Sequence, residues 1–157
     1  MGPASTPQSH PMYRLEIRHN AEAAHRFFQA DNSLKCRSIH GHSWSVILTL
    51  KAEKLDAQGM VIEFGQLKTA WRSWLDAHLD HTLMLHEQDP LVAVLQATDP
   101  QLRLFLLPLD PTTENLARVL AEQAERVLEQ LGYFPPTVQV ERLRLEETSV
   151  NAAEYVL

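Results

Sequence analysis

A single cysteine, Cys36, stands in 157 residues, so no disulfide can form within the chain. A chain of this length holds itself together with a buried core, and a lone thiol suits a reducing compartment. Positive charge is also short: 14 Lys and Arg against 20 Asp and Glu give a net charge of -6. That balance leaves no basic footprint for nucleic acid or an anionic membrane, and neither partner is expected. An anionic substrate would need a local positive site, from a metal ion or a few basic side chains. No apolar run reaches the length of a membrane helix. The opening residues, MGPASTPQSHP, lack the charged and apolar regions of a secretory signal. Residues 1–11 read as a disordered tail, residues 12–157 as one domain, and the cytoplasm as the expected location.

What is present is ordinary for a globular protein, with 45% hydrophobic residues. Tyr13, Leu15 and Ile17 alternate with Arg14, Glu16 and Arg18, the period of a half-buried strand. Trp44 to Leu50 is rich in β-favouring residues and reads as a second strand, with a loop at Asp31-Asn32-Ser33 between them. After the turn at Gly59 the period changes: Leu67, Trp71, Trp74, Leu75 and His78 predict a helix from about Phe64 to Leu79. A second helix starts at Thr112 or Thr113, carries Glu114 in its first turn, and ends at Gly132 before Pro135-Pro136. Val138 to Leu145 and Ala153 to Leu157 are strand-like. Leu91 to Pro108 is ambiguous, with helical spacing at Val92, Val94 and Leu95 and a strand-like run at residues 103–107. The order ββ, α, an undecided insert, α, ββ predicts an α+β fold with helices on one face of an antiparallel sheet.

The residues with chemistry cluster in a few places. His40 and His42 are two apart, so on a strand both imidazoles face one side and can meet one ion; otherwise they are surface histidines at a strand entrance. His25, near the end of the first strand, adds a third if the two strands form a hairpin. Three histidines with no fourth protein ligand make an open, catalytic-type zinc site. Cys36 reads as a small buried hydrophobe, as a nucleophile or base activated by a nearby cation, or as a fourth ligand, and spacing does not decide. Asp80-His81 can be an oriented acid/base pair or two solvated residues in a helix-terminal turn. Glu146-Glu147-Thr148 ends a strand; a buried carboxylate there can grip the paired donors of a heterocyclic ring. His10, His19, His78 and His86 are assigned to surface or packing, and Trp71 and Trp74 to core or subunit interface.

Six pieces occur in order: Ala23-Ala24-His25; Cys36-x-x-x-His40-Gly41-His42; Gly59-Met60-Val61-Ile62-Glu63-Phe64-Gly65; Leu79-Asp80-His81; Pro111-Thr112-Thr113-Glu114-Asn115-Leu116-Ala117; and Glu147-Thr148 ahead of Ala153-Glu154-Tyr155. Together they resemble the 6-pyruvoyltetrahydropterin synthase / 6-carboxytetrahydropterin synthase family. The resemblance implies the tunnelling fold, whose ββααββ subunits assemble through their sheets, typically as a homohexamer of two stacked trimers. It implies zinc on His25, His40 and His42, and a catalytic group of Cys36, Asp80 and His81 assembled at a subunit interface. It further implies a pterin-anchoring Glu147, with Thr112 and Thr113 close to the pterin. The implied substrate is 7,8-dihydroneopterin triphosphate, and the carboxy-forming branch, which feeds queuosine synthesis, is preferred over the pyruvoyl-forming one. A non-catalytic zinc- or pterin-binding protein of the same fold is the alternative of another class. Two departures stand out: Glu63 where the family commonly has Asp, and a longer segment from Glu87 to Asp110. Cys36 keeps the usual gap to His40, unlike the branch that replaces it with glutamate.

Overall fold

The structure is a computed structural model that describes residues 11–157; the expected tail, Pro11 apart, and His10 lie outside the described residues. Two long strands form its spine, β1 (Tyr13–His25) and β2 (His40–Ala52), paired antiparallel from Tyr13↔Ala52 to His25↔His40. A short helix, α1 (Leu34–Arg37), lies in the connection between them, with Ser33 capping it by accepting from the Cys36 N–H. The chain continues through α2 (Phe64–His78), β3 (Thr82–His86), α3 (Leu91–Thr98), β4 (Leu104–Leu107), α4 (Thr113–Gln130), β5 (Gln139–Glu146) and β6 (Ala152–Val156). The six strands form one sheet in the order β4-β3-β1-β2-β5-β6.

Period-two alternation divides the sheet into two faces. Leu15, Ile17, Ala21 and Ala23 of β1 and Trp44, Val46, Leu48 and Leu50 of β2 are buried on the helix-covered face. They pack with Leu67, Trp71 and Leu75 of α2 and Leu116, Leu120 and Ala124 of α4 in one core. Each leucine, isoleucine or valine among them, fully removed from water, contributes about 1.5–3 kcal/mol before entropy is counted. The opposite face is charged, with Arg18 bridging Ser45 and Glu146, and Arg14 held by Glu141. Both long helices start on capping side chains. Glu63 accepts from the N–H groups of Gly65 and Gln66, so this departure from the family pattern serves as the cap of α2. Thr112 does the same for α4 through Asn115. Gly132, at φ 87°, closes α4 in the left-handed conformation that glycine adopts without strain.

The sheet is mixed, which extends the expected antiparallel arrangement. β1, β2, β5 and β6 are antiparallel neighbours, but β3 pairs parallel with β1, and β4 parallel with β3. The ambiguous segment from Leu91 to Pro108 therefore supplies the helix and the second strand of a β3–α3–β4 crossover. Thr82–His86 carries no alternation in its sequence, because Thr82, Met84, Leu85 and His86 are all buried and only a half-exposed strand alternates.

Candidate active site

The β1–β2 register brings the histidines together. His25 lies directly opposite His40, and His42, two residues on, occupies the diagonal on the same face. All three continue the line of core residues beyond Trp44, whose ring meets His25 and His42 edge-on at 5.1 and 5.3 Å. The Trp44 indole N–H donates to the Ala23 carbonyl, which fixes that wall. The ligand nitrogens of His25, His40 and His42 all lie within 4.8 Å of one another.

Hydrogen bonding decides what these rings present. Nδ1 of His25 lies 2.8 Å from the Pro111 carbonyl, and Nδ1 of His40 lies 2.8 Å from the Ser38 carbonyl. A carbonyl only accepts, so each Nδ1 carries the proton and each Nε2 offers a lone pair. Those two Nε2 atoms face each other at 3.1 Å. Burial, more than the charges of His40 and His42, pushes His25 down to about 4 against the supporting Pro111 bond, so a shared proton is a poor remedy. Nε2 of His42 is buried with no hydrogen-bond partner among the described residues. Two converging lone pairs and an orphaned buried nitrogen fit a borderline-soft divalent cation such as Zn²⁺. Glu147, just beyond β5, brings Oε1 to 3.6 Å from Nε2 of both His25 and His42. The Thr113 hydroxyl donates to that same oxygen at 3.3 Å, so two of the expected substrate residues meet beside the histidines. Thr112 has its hydroxyl oxygen committed to capping α4.

Asp80 and His81 form a separate unit at the α2–β3 turn. Asp80 accepts from the Glu22 backbone N–H at 2.8 Å and from Nδ1 of His81 at 2.7 Å. The Glu22 bond first, then His81, hold the Asp80 carboxyl below its ordinary range despite some desolvation. A carboxylate there fixes Nδ1–H of His81 and leaves Nε2 available for proton transfer. His81 has φ 56°, where a helix end usually has glycine, and its N–H is clamped to the Glu22 carbonyl at 2.6 Å. A left-handed histidine at this turn trades backbone comfort for an imidazole aimed outward, 74% exposed. Arg103, which nothing in the sequence singled out, donates to the carbonyls of Asp76, Ala77 and Asp80 and so ties the turn to the end of α2. Glu22 was equally silent in the sequence, since its part in the clamp is played by its backbone.

Cys36 sits on α1, half-buried, with its carbonyl accepting from the Phe27 N–H at 2.8 Å. It is not part of the group of mutually close metal-ligand atoms, which among the described residues consists of the three histidines. His42 and His81 both line one open depression, together with Glu22, Gly41 and Ser43. The structure thus brings His25, His40, His42, Glu147 and Thr113 together, and keeps Asp80–His81 and Cys36 as two further groups. Of the histidines assigned to surface or packing, His86 is buried against Phe28 and His78 stacks on Trp74, while His19 is half-buried with Nδ1 unpartnered among the described residues.

Known proteins resemble this chain in sequence and fold. The family model described as 6-pyruvoyl tetrahydropterin synthase matches residues 14–156. A Rickettsia typhi protein named 6-carboxy-5,6,7,8-tetrahydropterin synthase is 34% identical over 106 residues, 68% of this chain and 75% of its own. A Bacillus subtilis protein of the same name is 28% identical over 136 residues, 85% of this chain and 82% of its own. Among solved structures, an uncharacterized protein from Wolinella succinogenes superposes with a TM-score of 0.76 at 21% identity, covering 93% of this chain and 98% of that one. The 6-pyruvoyl tetrahydropterin synthase of Caenorhabditis elegans gives 0.65 at 24%, covering 93% and 96%. These structural likenesses speak for the fold, while the match over residues 14–156 speaks for descent: the chain belongs to the 6-pyruvoyl tetrahydropterin synthase family.

Proposed function

We propose that the protein is a zinc-dependent 6-carboxy-5,6,7,8-tetrahydropterin synthase. It would convert 7,8-dihydroneopterin triphosphate to 6-carboxytetrahydropterin, releasing acetaldehyde and triphosphate, in the cytoplasm and on the way to queuosine. The observation that carries the reading is the convergence of the ring nitrogens of His25, His40 and His42, in a chain whose curated relatives bear that enzyme's name. Bound there, zinc supplies Lewis acidity toward the substrate's side-chain oxygens.

The chain's own residues do the rest. Cys36 would take a proton from the substrate's side chain. His81, oriented by the Asp80 carboxylate, carries the second proton through Nε2. Glu147 grips the paired donors of the pterin ring beside Thr113, and Thr112 holds the start of α4 in place. The outward-facing His81 and the separate seat of Cys36 support assembly of the catalytic group between subunits of a homohexamer, a dimer of trimers. Residues 12–157 would act as one domain.

Product analysis tests this directly. Incubation of the zinc-loaded protein with 7,8-dihydroneopterin triphosphate is expected to yield acetaldehyde and 6-carboxytetrahydropterin in equal amounts. Triphosphate release with a pyruvoyl product and no acetaldehyde would assign the other branch. Binding of the pterin without turnover would make the protein a non-catalytic member of the family.

A further inference from the structure

One carboxylate points where a ring anchor has no reason to point. Oε1 of Glu147 lies 3.6 Å from Nε2 of His25 and 3.6 Å from Nε2 of His42. Nε2 of His25 has no proton to donate while its Nδ1–H serves Pro111, and Nε2 of His42 is buried and unpartnered among the described residues. A carboxylate oxygen beside the His25 lone pair is repelled unless a cation joins them. Ligand atoms roughly 2.0–2.2 Å from a tetrahedral ion stand about 3.3–3.6 Å apart. The His25–His40 separation of 3.1 Å and the two Glu147 separations of 3.6 Å bracket that edge.

We propose that in the substrate-free protein the Glu147 carboxylate completes the coordination of an ion held by His25, His40 and His42, and leaves it when a pterin ring docks. The inference rests on the three-histidine reading above and deepens it. Ring and metal compete for one carboxylate, so docking of the ring opens a coordination position at the moment the substrate's side chain arrives. Oε1 stands beside the His25–His42 edge, outside the trio of mutually close ligand atoms, so coordination draws it toward His40. The side chain is 18% exposed, and its hydrogen bond among the described residues is to the Thr113 hydroxyl, which leaves that rotation cheap. Thr113 steadies the carboxylate between its two positions.

Cobalt(II) titration of the metal-free protein reads coordination without turnover. Wild-type protein is expected to bind one equivalent with the intense visible absorption of a four-coordinate site. Glu147→Gln is expected to bind it about ten- to a hundredfold more weakly, with an altered spectrum. Thr113→Val, which removes only the steadying hydroxyl, is expected to weaken binding less and to move the spectrum in the same direction. Unsubstituted pterin offers the ring donors but no side-chain hydroxyls; it is expected to shift the wild-type spectrum toward that of Glu147→Gln. Equal affinity and identical spectra in wild type and Glu147→Gln would overturn the proposal and leave the three-histidine site standing. So would pterin binding that leaves the wild-type spectrum unmoved. Failure of wild type to bind one equivalent, or undiminished binding by His40→Ala, would overturn both.

Discussion

His25 and His40 meet as a cross-strand pair with Nε2 atoms 3.1 Å apart, each ring having already given its Nδ1 proton to a backbone carbonyl. Turning either ring would break its carbonyl bond, and turning His25 would strand a buried donor. A cation relieves it. His40→Ala is therefore expected to lose bound zinc and turnover together, by more than the roughly tenfold to hundredfold typical of an outer-shell change. Zinc content by elemental analysis checks this, and zinc retained at one equivalent would refute the ligand set.

The same burial sets a pH dependence. His25 in the folded, metal-free protein is held down to about 4 by burial, below its ordinary 6.5. The unfolded chain therefore takes up a proton that the fold refuses. Stability is fully present above pH 6.5 and falls as pH drops toward 4, by about 2 kcal/mol at pH 5. Urea midpoints of metal-free protein between pH 8 and 5 measure the slope. His25→Gln, which cannot titrate, should flatten it whatever its own stability; a slope unchanged in the variant would remove His25 as the cause.

Cys36 lies outside the cluster of metal-ligand atoms, on a helix of its own. Cys36→Ala is expected to keep its zinc and fold while losing turnover by about 10²–10⁴-fold, the usual contribution of a positioned base. Loss of metal in that variant would make the cysteine a ligand after all.

How much of this was legible follows from how local each contact is. The three histidines were readable because one hairpin register, set by alternation along β1 and β2, puts them on one face. The caps at Glu63 and Thr112 and the stop at Gly132 sit within a few residues of what they cap. The parallel β1–β3 pairing was not readable: it joins Ala23 to Thr82 across 59 positions, and β3 is buried without alternation. Nor was the carbonyl of Pro111 legible as the group that sets the His25 tautomer, since a backbone oxygen leaves no mark in a sequence. Glu147 was found by position, but its nearness to the imidazoles needed coordinates.

Arg26, the residue after His25, donates two 2.7 Å hydrogen bonds to Asp89, whose side chain is wholly buried. Burial alone would raise the Asp89 carboxyl, but Arg26 and the Leu91 N–H more than offset it and hold it below the usual range. Asp89→Asn leaves a mostly buried guanidinium without its counter-charge. A loss of about 3 kcal/mol is expected in urea unfolding, the low end for a broken buried pair because Arg26 keeps 20% exposure. A loss under about 1 kcal/mol would show that the pair is screened as a surface pair is.

Arg103 reaches from the β3–β4 crossover to the carbonyls of Asp76, Ala77 and Asp80 at 2.7, 3.2 and 3.0 Å. It satisfies acceptors that the end of α2 leaves open, and it braces the backbone of the residue that orients His81. As the side chain is exposed, Arg103→Ala should cost only about 1 kcal/mol of stability. Turnover should suffer more, since displacing a proton-transfer group by an ångström costs on the order of 10²-fold. The expected pattern is a fall in kcat of about tenfold to a hundredfold with zinc content unchanged. Arg103→Lys, able to reach one carbonyl, should recover part of it. A variant that loses stability but keeps full kcat would reduce Arg103 to a helix cap. A loss of kcat that Lys partly restores, at constant metal, would instead identify Arg103 as a positioning residue, placed in the segment that sequence alone left undecided.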